Sequence, residues 1–130
     1  MICDKKAAKM LYGGDYNPEQ WPKETRERDM ELLQEAGVDV VTLNVFNWAM
    51  IQPSEERYDF SELDETVKRV TENGMSICMA TSTGAHPAWM ARRYPEILRT
   101  EFSGMRRKFG GRHNSCPNSY AFRHFSAELA

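Results

Sequence analysis

Strand-loop-helix units following one another predict an α/β fold built on a parallel sheet for this chain of 130 residues. Two observations carry the prediction. VDVVTLNV at residues 38–45 and MSICMA at 75–80 are short, almost continuously apolar segments, as expected of strands buried on both faces, and each follows a helical pattern that stops at a glycine, Gly37 or Gly74. The units also recur at roughly the ~30-residue pitch of right-handed βαβ repeats. The register repeats although the sequence does not.

The elements follow in order. KMLYG, residues 9–13, reads as the first strand, and Trp21-Pro22 opens the first helix with proline where a first turn tolerates it. Met30, Leu32, Leu33 and Ala36 recur there at helical spacing, with Arg26, Glu27, Glu31 and Glu35 on other faces. After the second strand, Phe46 to Ala49 leave as a polar-aromatic loop. Ser61 is placed to cap the next helix, whose buried stripe is Leu63, Val67 and Val70. The third strand exits through Thr81 to Pro87, AWMARRY makes a short helix broken by Pro95, and residues 99–118 read as one long loop, a length that is usually functional or disordered. Ser119 to Ala130 resumes a helix with Ala121, Phe125 and Leu129 spaced four apart.

Composition narrows the classes. At 41% hydrophobic and 28% charged, the chain has the make-up of a globular domain. No apolar run approaches the ~20 residues of a membrane span, and Met1 to Lys9 lacks the apolar stretch of a signal peptide. Three scattered cysteines, Cys3, Cys78 and Cys116, fit a reducing compartment and a cytoplasmic location, with Cys78 expected as a buried small hydrophobe in its strand. The net charge of −2 says little, and the excess of arginine and lysine over residues 91–125 is read as solvated surface because no nucleic-acid module surrounds it. No nucleic-acid or membrane partner is expected.

Three parallel strands leave both sheet edges open, so the chain reads as the N-terminal portion, about three βα units plus a long loop, of a (β/α)8 barrel. The domain expected over 1–130 is therefore an incomplete one. In a barrel the three strand exits open on the face where active sites sit. They carry Asp15, Tyr16, Asn17, Glu19, Trp21, Phe46, Asn47, Trp48, Thr81, Ser82, Thr83 and His86. Flat rings with amide, hydroxyl and carboxylate neighbours suit a sugar, whose C–H faces and hydroxyls they match. A structural reading stands beside this one, in which Trp48 and Phe46 only seal the barrel top and Asp15 and Asn17 only bond loop backbone.

GGDYNPEQWP, then FNWAMIQP followed by YDF, then ATSTGAHPAWMARRYPEIL, then FGGRHNSCPNS, resemble in order and spacing the opening of glycoside hydrolase family 42. The resemblance runs from Leu11 to the end. It implies a retaining β-galactosidase on a (β/α)8 barrel that releases terminal β-galactose from β-galactoside oligosaccharides. Such chemistry needs two carboxyl groups about 5–5.5 Å apart. In the family these are glutamates on strands four and seven, and neither motif occurs here, so no catalytic residue is expected within these residues and the isolated chain is expected to be inactive. The resemblance implies substrate contact for Arg112, four residues before Cys116, and the exit loops add Tyr16, Asn17, Trp21, Phe46 and Trp48 as candidate sugar-binding residues. It also makes Cys116 a candidate ligand of the four-cysteine structural zinc site of some members, with no cofactor for catalysis. Asn114-Ser115 depart from the aromatic that some members carry beside the cysteine. A homo-oligomer is expected of the complete protein. The alternative is a non-catalytic remnant or split-gene product that binds sugar weakly or needs a partner chain to complete the barrel.

Overall fold

The structure is a computed structural model that describes residues 10–130. Cys3 and the stretch from Met1 to Lys9 lie outside the described residues. In chain order the elements are β1 (Gly13–Asp15), α1 (Lys23–Glu35), β2 (Val40–Leu43), α2 (Trp48–Ile51), α3 (Ser61–Glu72), β3 (Ser76–Met79), α4 (Ala88–Arg93) and α5 (Tyr120–Leu129), with tighter single turns at Pro18–Gln20 and Pro95–Ile97. They form two compact units, one of residues up to Leu43 with Glu62–Met79, the other of Asn44–Ser61 with Ala80–Ala130.

The first unit holds a parallel sheet in the order β1-β2-β3, in which Gly13 is level with Val40 and Val40 with Ser76. Gly13 is required there, because a Cβ on it would fall 1.7 Å from the Val40 carbonyl oxygen. Val41 and Leu43 point to one face and are buried with Met30 of α1, Val70 of α3 and Met75, with Tyr16, Leu33, Val38, Val67 and Ile77 packed around them. Burying each such side chain contributes about 1.5–3 kcal/mol. Arg26 lies on that inner side of α1 too: its guanidinium donates to Glu62 Oε2 at 2.9 Å and to the Trp21 carbonyl at 3.2 Å.

Several sequence expectations shift here. β1 begins at Gly13 rather than ending there, and Met10 and Leu11 are exposed. β2 and β3 are shorter than their apolar runs, and β2 buries alternate residues instead of both faces, since no described layer covers Val40 and Thr42. For the same reason Cys78 is exposed, not a buried hydrophobe. Arg26 is buried while Leu32 is exposed, because the long arginine stem packs inward once its head group finds Glu62. Ser61 starts α3 instead of capping it; Asp59 accepts from the Ser61 amide and hydroxyl and serves as the cap.

The second unit is centred on Trp48, Met90, Ile97, Ala121 and Phe125. The polar-aromatic loop expected from Phe46 to Ala49 runs into the short helix α2, and the stretch 99–118 is pinned by antiparallel bridges between Leu98 and Ser115 and between Thr100 and Arg106. Ser119 caps α5, its Oγ accepting from the Phe122 amide. Among the described residues no helix is long and apolar enough to cross a membrane.

Candidate functional site

The second unit brings together three chain segments that the sequence keeps far apart. Three non-glycine residues have left-handed backbones: Asn44 (φ 69°), directly after β2, Ser82 (φ 56°), soon after β3, and His113 (φ 54°). Such conformations cost of order 1–3 kcal/mol each and persist where surrounding bonds impose them. Those bonds are present. Asn44 Nδ2 donates to the Ala80 carbonyl at 3.0 Å, the Ser82 hydroxyl donates to the Asn44 carbonyl, and the His113 amide donates to the Gly84 carbonyl at 2.9 Å.

Gly84 also lies against Phe46, where a Cβ would stand 3.2 Å from the ring. On Phe46 rests Arg112, its guanidinium carbon 4.2 Å from the ring centroid. A cation over an aromatic face is attracted by the ring quadrupole, and stacking uses the flat face of the guanidinium while leaving its in-plane N–H groups for hydrogen bonds. Arg112 is exposed, Phe46 half-buried. The pair is thus a steadied, solvent-facing donor array suited to hydroxyls or a carboxylate.

His86 is buried, with Nδ1 2.6 Å from the Ser115 hydroxyl and its ring 5.7 Å, centroid to centroid, from Phe109. Burial pushes its pKa below the usual 6.5, which favours the neutral ring. His86 Nε2 and Asn114 Oδ1 are buried without a protein partner.

Of the residues expected to bind sugar, Arg112 and Phe46 are brought together. Trp48 has no exposed surface: it packs 6.0 Å from Phe122, donates from Nε1 to Gln52 Oε1 at 2.8 Å, and acts as a core residue. In the first unit, the Tyr16 hydroxyl donates to Asp29 at 3.1 Å, and burial together with that carboxylate drives its pKa upward. Tyr16 and the exposed Trp21 line a hollow of about 380 Å³ with Thr25, Asp29, Leu32 and Leu33 on the flank of α1. Asn17 precedes the turn at Pro18–Gln20, and its Oδ1 is buried without a partner. Sequence reasoning gave no role to Asn44, Gly84, Phe109 or Ser115. The available signals were slight: an asparagine at a strand end, a residue type that tolerates left-handed backbone, and a glycine between small residues.

Cys116 carries a free, half-buried thiol, and among the described residues no group of three or more His, Cys, Asp or Glu side chains could hold a metal. Structural zinc takes four ligands, and the described residues by themselves do not fit such a site.

Comparison with known proteins gives this geometry its setting. The family model of glycoside hydrolase family 42, described as beta-galactosidase, matches residues 15–130. Beta-galactosidase BgaA of Planococcus sp. (strain 'SOS Orange') is 56% identical over all of this chain and 19% of its own length. LacA of Lactobacillus acidophilus is 43% identical over 94% of the chain and 18% of its own length. The crystal structure of beta-galactosidase from Bacillus circulans sp. alkalophilus superposes with a TM-score of 0.92 at 56% identity, covering 96% of this chain and 18% of that one. That from Rahnella sp. R3 gives 0.86 at 39% identity, over 92% and 18%. The chain belongs to glycoside hydrolase family 42, and its three parallel strands with their helices are an N-terminal part of that family's (β/α)8 barrel. It spans about one fifth of the length of the relatives it matches.

Proposed function

We propose that this chain supplies part of the sugar-binding wall of a retaining β-galactosidase acting on β-galactoside oligosaccharides, with Arg112 as its sugar-facing group. The single observation that supports this most is the stacking of Arg112 on Phe46, which holds an exposed guanidinium in one place without consuming its donors. A donor array ordered before the sugar arrives spares the entropy of ordering a long side chain on binding. Within the complete barrel the same positive charge keeps a neighbouring carboxylate ionised. Bond cleavage itself belongs to the two glutamates that the family carries on later strands, one protonating the leaving oxygen and one attacking the anomeric carbon. The residues here bind and orient. The scattered cysteines, free at Cys78 and Cys116, support placing this chemistry in the cytoplasm.

The test is a galactose titration of the 130-residue chain followed by nuclear magnetic resonance, beside a chromogenic galactoside assay. Wild type should bind weakly, Arg112→Ala should lose the binding, and neither should turn over substrate. Equal binding by Arg112→Ala, or turnover above background, refutes the proposal.

A further inference from the structure

We propose that His86 is the positioning residue for Arg112, gripping the loop that carries it on both sides; this rests on the reading of Arg112 as the sugar-facing group. Phe109 stands three residues before Arg112 and Ser115 three residues after it. Both touch the same imidazole, Phe109 through its ring at 5.7 Å between centroids and Ser115 through a 2.6 Å contact between Oγ and Nδ1. One buried side chain thus fixes two points of the loop that are six residues apart in sequence, with Arg112 at the midpoint.

The remaining contacts explain why such a grip is needed. Arg112 is exposed and rests on Phe46 by a face contact, which resists sliding poorly because the ring presents no directional acceptor. The next residue, His113, has a left-handed backbone at φ 54° and is tied by its amide to Gly84. Gly84 is two positions before His86 and lies against Phe46. The segment 84–86 therefore touches the arginine's platform through Gly84, the residue after the arginine through the Gly84 carbonyl, and the two flanks of the loop through His86. Backbone bonds pin the Ser115 side as well, since Leu98 bridges Ser115, the Arg99 amide donates to the Asn114 carbonyl at 2.8 Å and the Cys116 amide to the Ile97 carbonyl at 2.7 Å. Release of the imidazole therefore frees the Phe109 flank and the Ser115 side chain, and the turn at Arg112 is left to the bond from His113 and to these pins beyond it. On the loop side, Asn114 Nδ2 donates to the Lys108 carbonyl at 2.7 Å, closing the loop upon itself so that its two flanks move together.

His86 is buried and acts on the loop through Phe109 and Ser115, so the test reads the placement of Arg112 directly. In the full 130-residue chain the Arg112 Nε–H resonance, assigned through Arg112→Lys, should be displaced upfield by the ring current of Phe46 and should lose that displacement in Phe46→Leu. His86→Ala should lose it as well, with the amide resonances of β1, β2 and α3 unchanged. His86→Asn, whose amide places a hydrogen-bonding atom near the position of Nδ1, should restore most of it. Ser115→Ala should lose part of the displacement, and adding it to His86→Ala should cause no further loss. An upfield shift that survives in His86→Ala overturns the proposal; should that variant fail to fold, a shift retained in full by Ser115→Ala overturns it. A galactose titration of the same samples keeps the two readings apart: no sugar binding by wild type, with the ring-current shift present and dependent on His86, refutes the sugar-facing role and upholds the positioning.

Discussion

Trp48 is where an aromatic in a strand exit must be assigned to sugar or to core, and its replacement separates the two. Its ring has no exposed surface and its Nε1–H donates at 2.8 Å to Gln52 Oε1, whose residue is itself fully buried and accepts a second indole N–H, from Trp89, at its backbone carbonyl. Trp48→Ala removes the largest side chain of that cluster, at a cost of about 3–5 kcal/mol for truncating a buried aromatic. Trp48→Phe keeps most of the ring volume but strips the donor, leaving the Gln52 oxygen in the interior unpaired, at a cost of about 1–3 kcal/mol. Against the ordinary 5–15 kcal/mol of a domain, the first is a large fraction of all stability. Urea unfolding followed by circular dichroism measures both. The midpoint should fall in the order wild type, Trp48→Phe, Trp48→Ala, with the slope unchanged for the phenylalanine variant. A Trp48→Phe variant within about 0.5 kcal/mol of wild type, the range of neutral surface changes, that nonetheless binds galactose more weakly would refute the core assignment.

Gly13→Ala should detach β1, because the new methyl would lie 1.7 Å from the Val40 carbonyl oxygen; hydrogen exchange should show the Tyr16 amide, bonded to the Thr42 carbonyl at 2.9 Å, losing its protection. Glu62→Gln should cost under about 1 kcal/mol in thermal unfolding, since the carboxylate facing Arg26 is half exposed and screened, whereas Arg26→Ala, which also strips a buried stem, should cost clearly more. His86, pushed below its usual 6.5 by burial, favours folding in its neutral form; its contribution is whole above that value and declines as pH falls through the window beneath it, so a proton titration of its imidazole should have a midpoint below 6.5. Ser82→Ala keeps a left-handed backbone at φ 56° and loses the bond to the Asn44 carbonyl, while Ser82→Gly loses the same bond but relieves the backbone. The glycine variant should therefore be the more stable of the two in unfolding experiments, and equal stabilities would show that no strain is held there.

The alternation of helical patterns with short β-branched runs made the α/β order legible, because a helix stripe and a buried strand each leave a periodicity that burial alone dictates. Met30, Val41, Val70 and Phe125 are where those patterns put them. Legibility failed where a tertiary partner decides. Arg26 is inside only because Glu62, 36 residues on, neutralises it, and Cys78 is outside because nothing described covers its side of the sheet. The start of β1 was misplaced for a similar reason: glycine has low strand propensity, and Gly13 is in the sheet because a neighbouring carbonyl leaves no room for anything larger. At the site, Arg112 and Phe46 were both named from sequence, yet their pairing was not, since a contact across 66 residues leaves no local pattern. Trp48 shows the converse, a residue whose type suits a sugar and whose environment makes it core.

The strained residues of the second unit have a common cause that links its fold to its proposed role. A strand that must pass its chain to a loop in one step needs a reversal of backbone sense, and a left-handed residue supplies it without lengthening the connection. Asn44 does this after β2 and places Phe46 two residues on; Ser82 does it after β3 and places Gly84 two residues on; His113 does it directly after Arg112. The groups so placed are the platform, the surface it rests on and the cation above it. Glycine would fit each turn at lower backbone cost, but it would remove the Asn44 amide that holds Ala80 and the Ser82 hydroxyl that holds Asn44. Side chains at left-handed positions are thus retained where the bonds they make tie one strand exit to the next, and the backbone cost is the consequence of holding Phe46 and Gly84 in contact beneath Arg112.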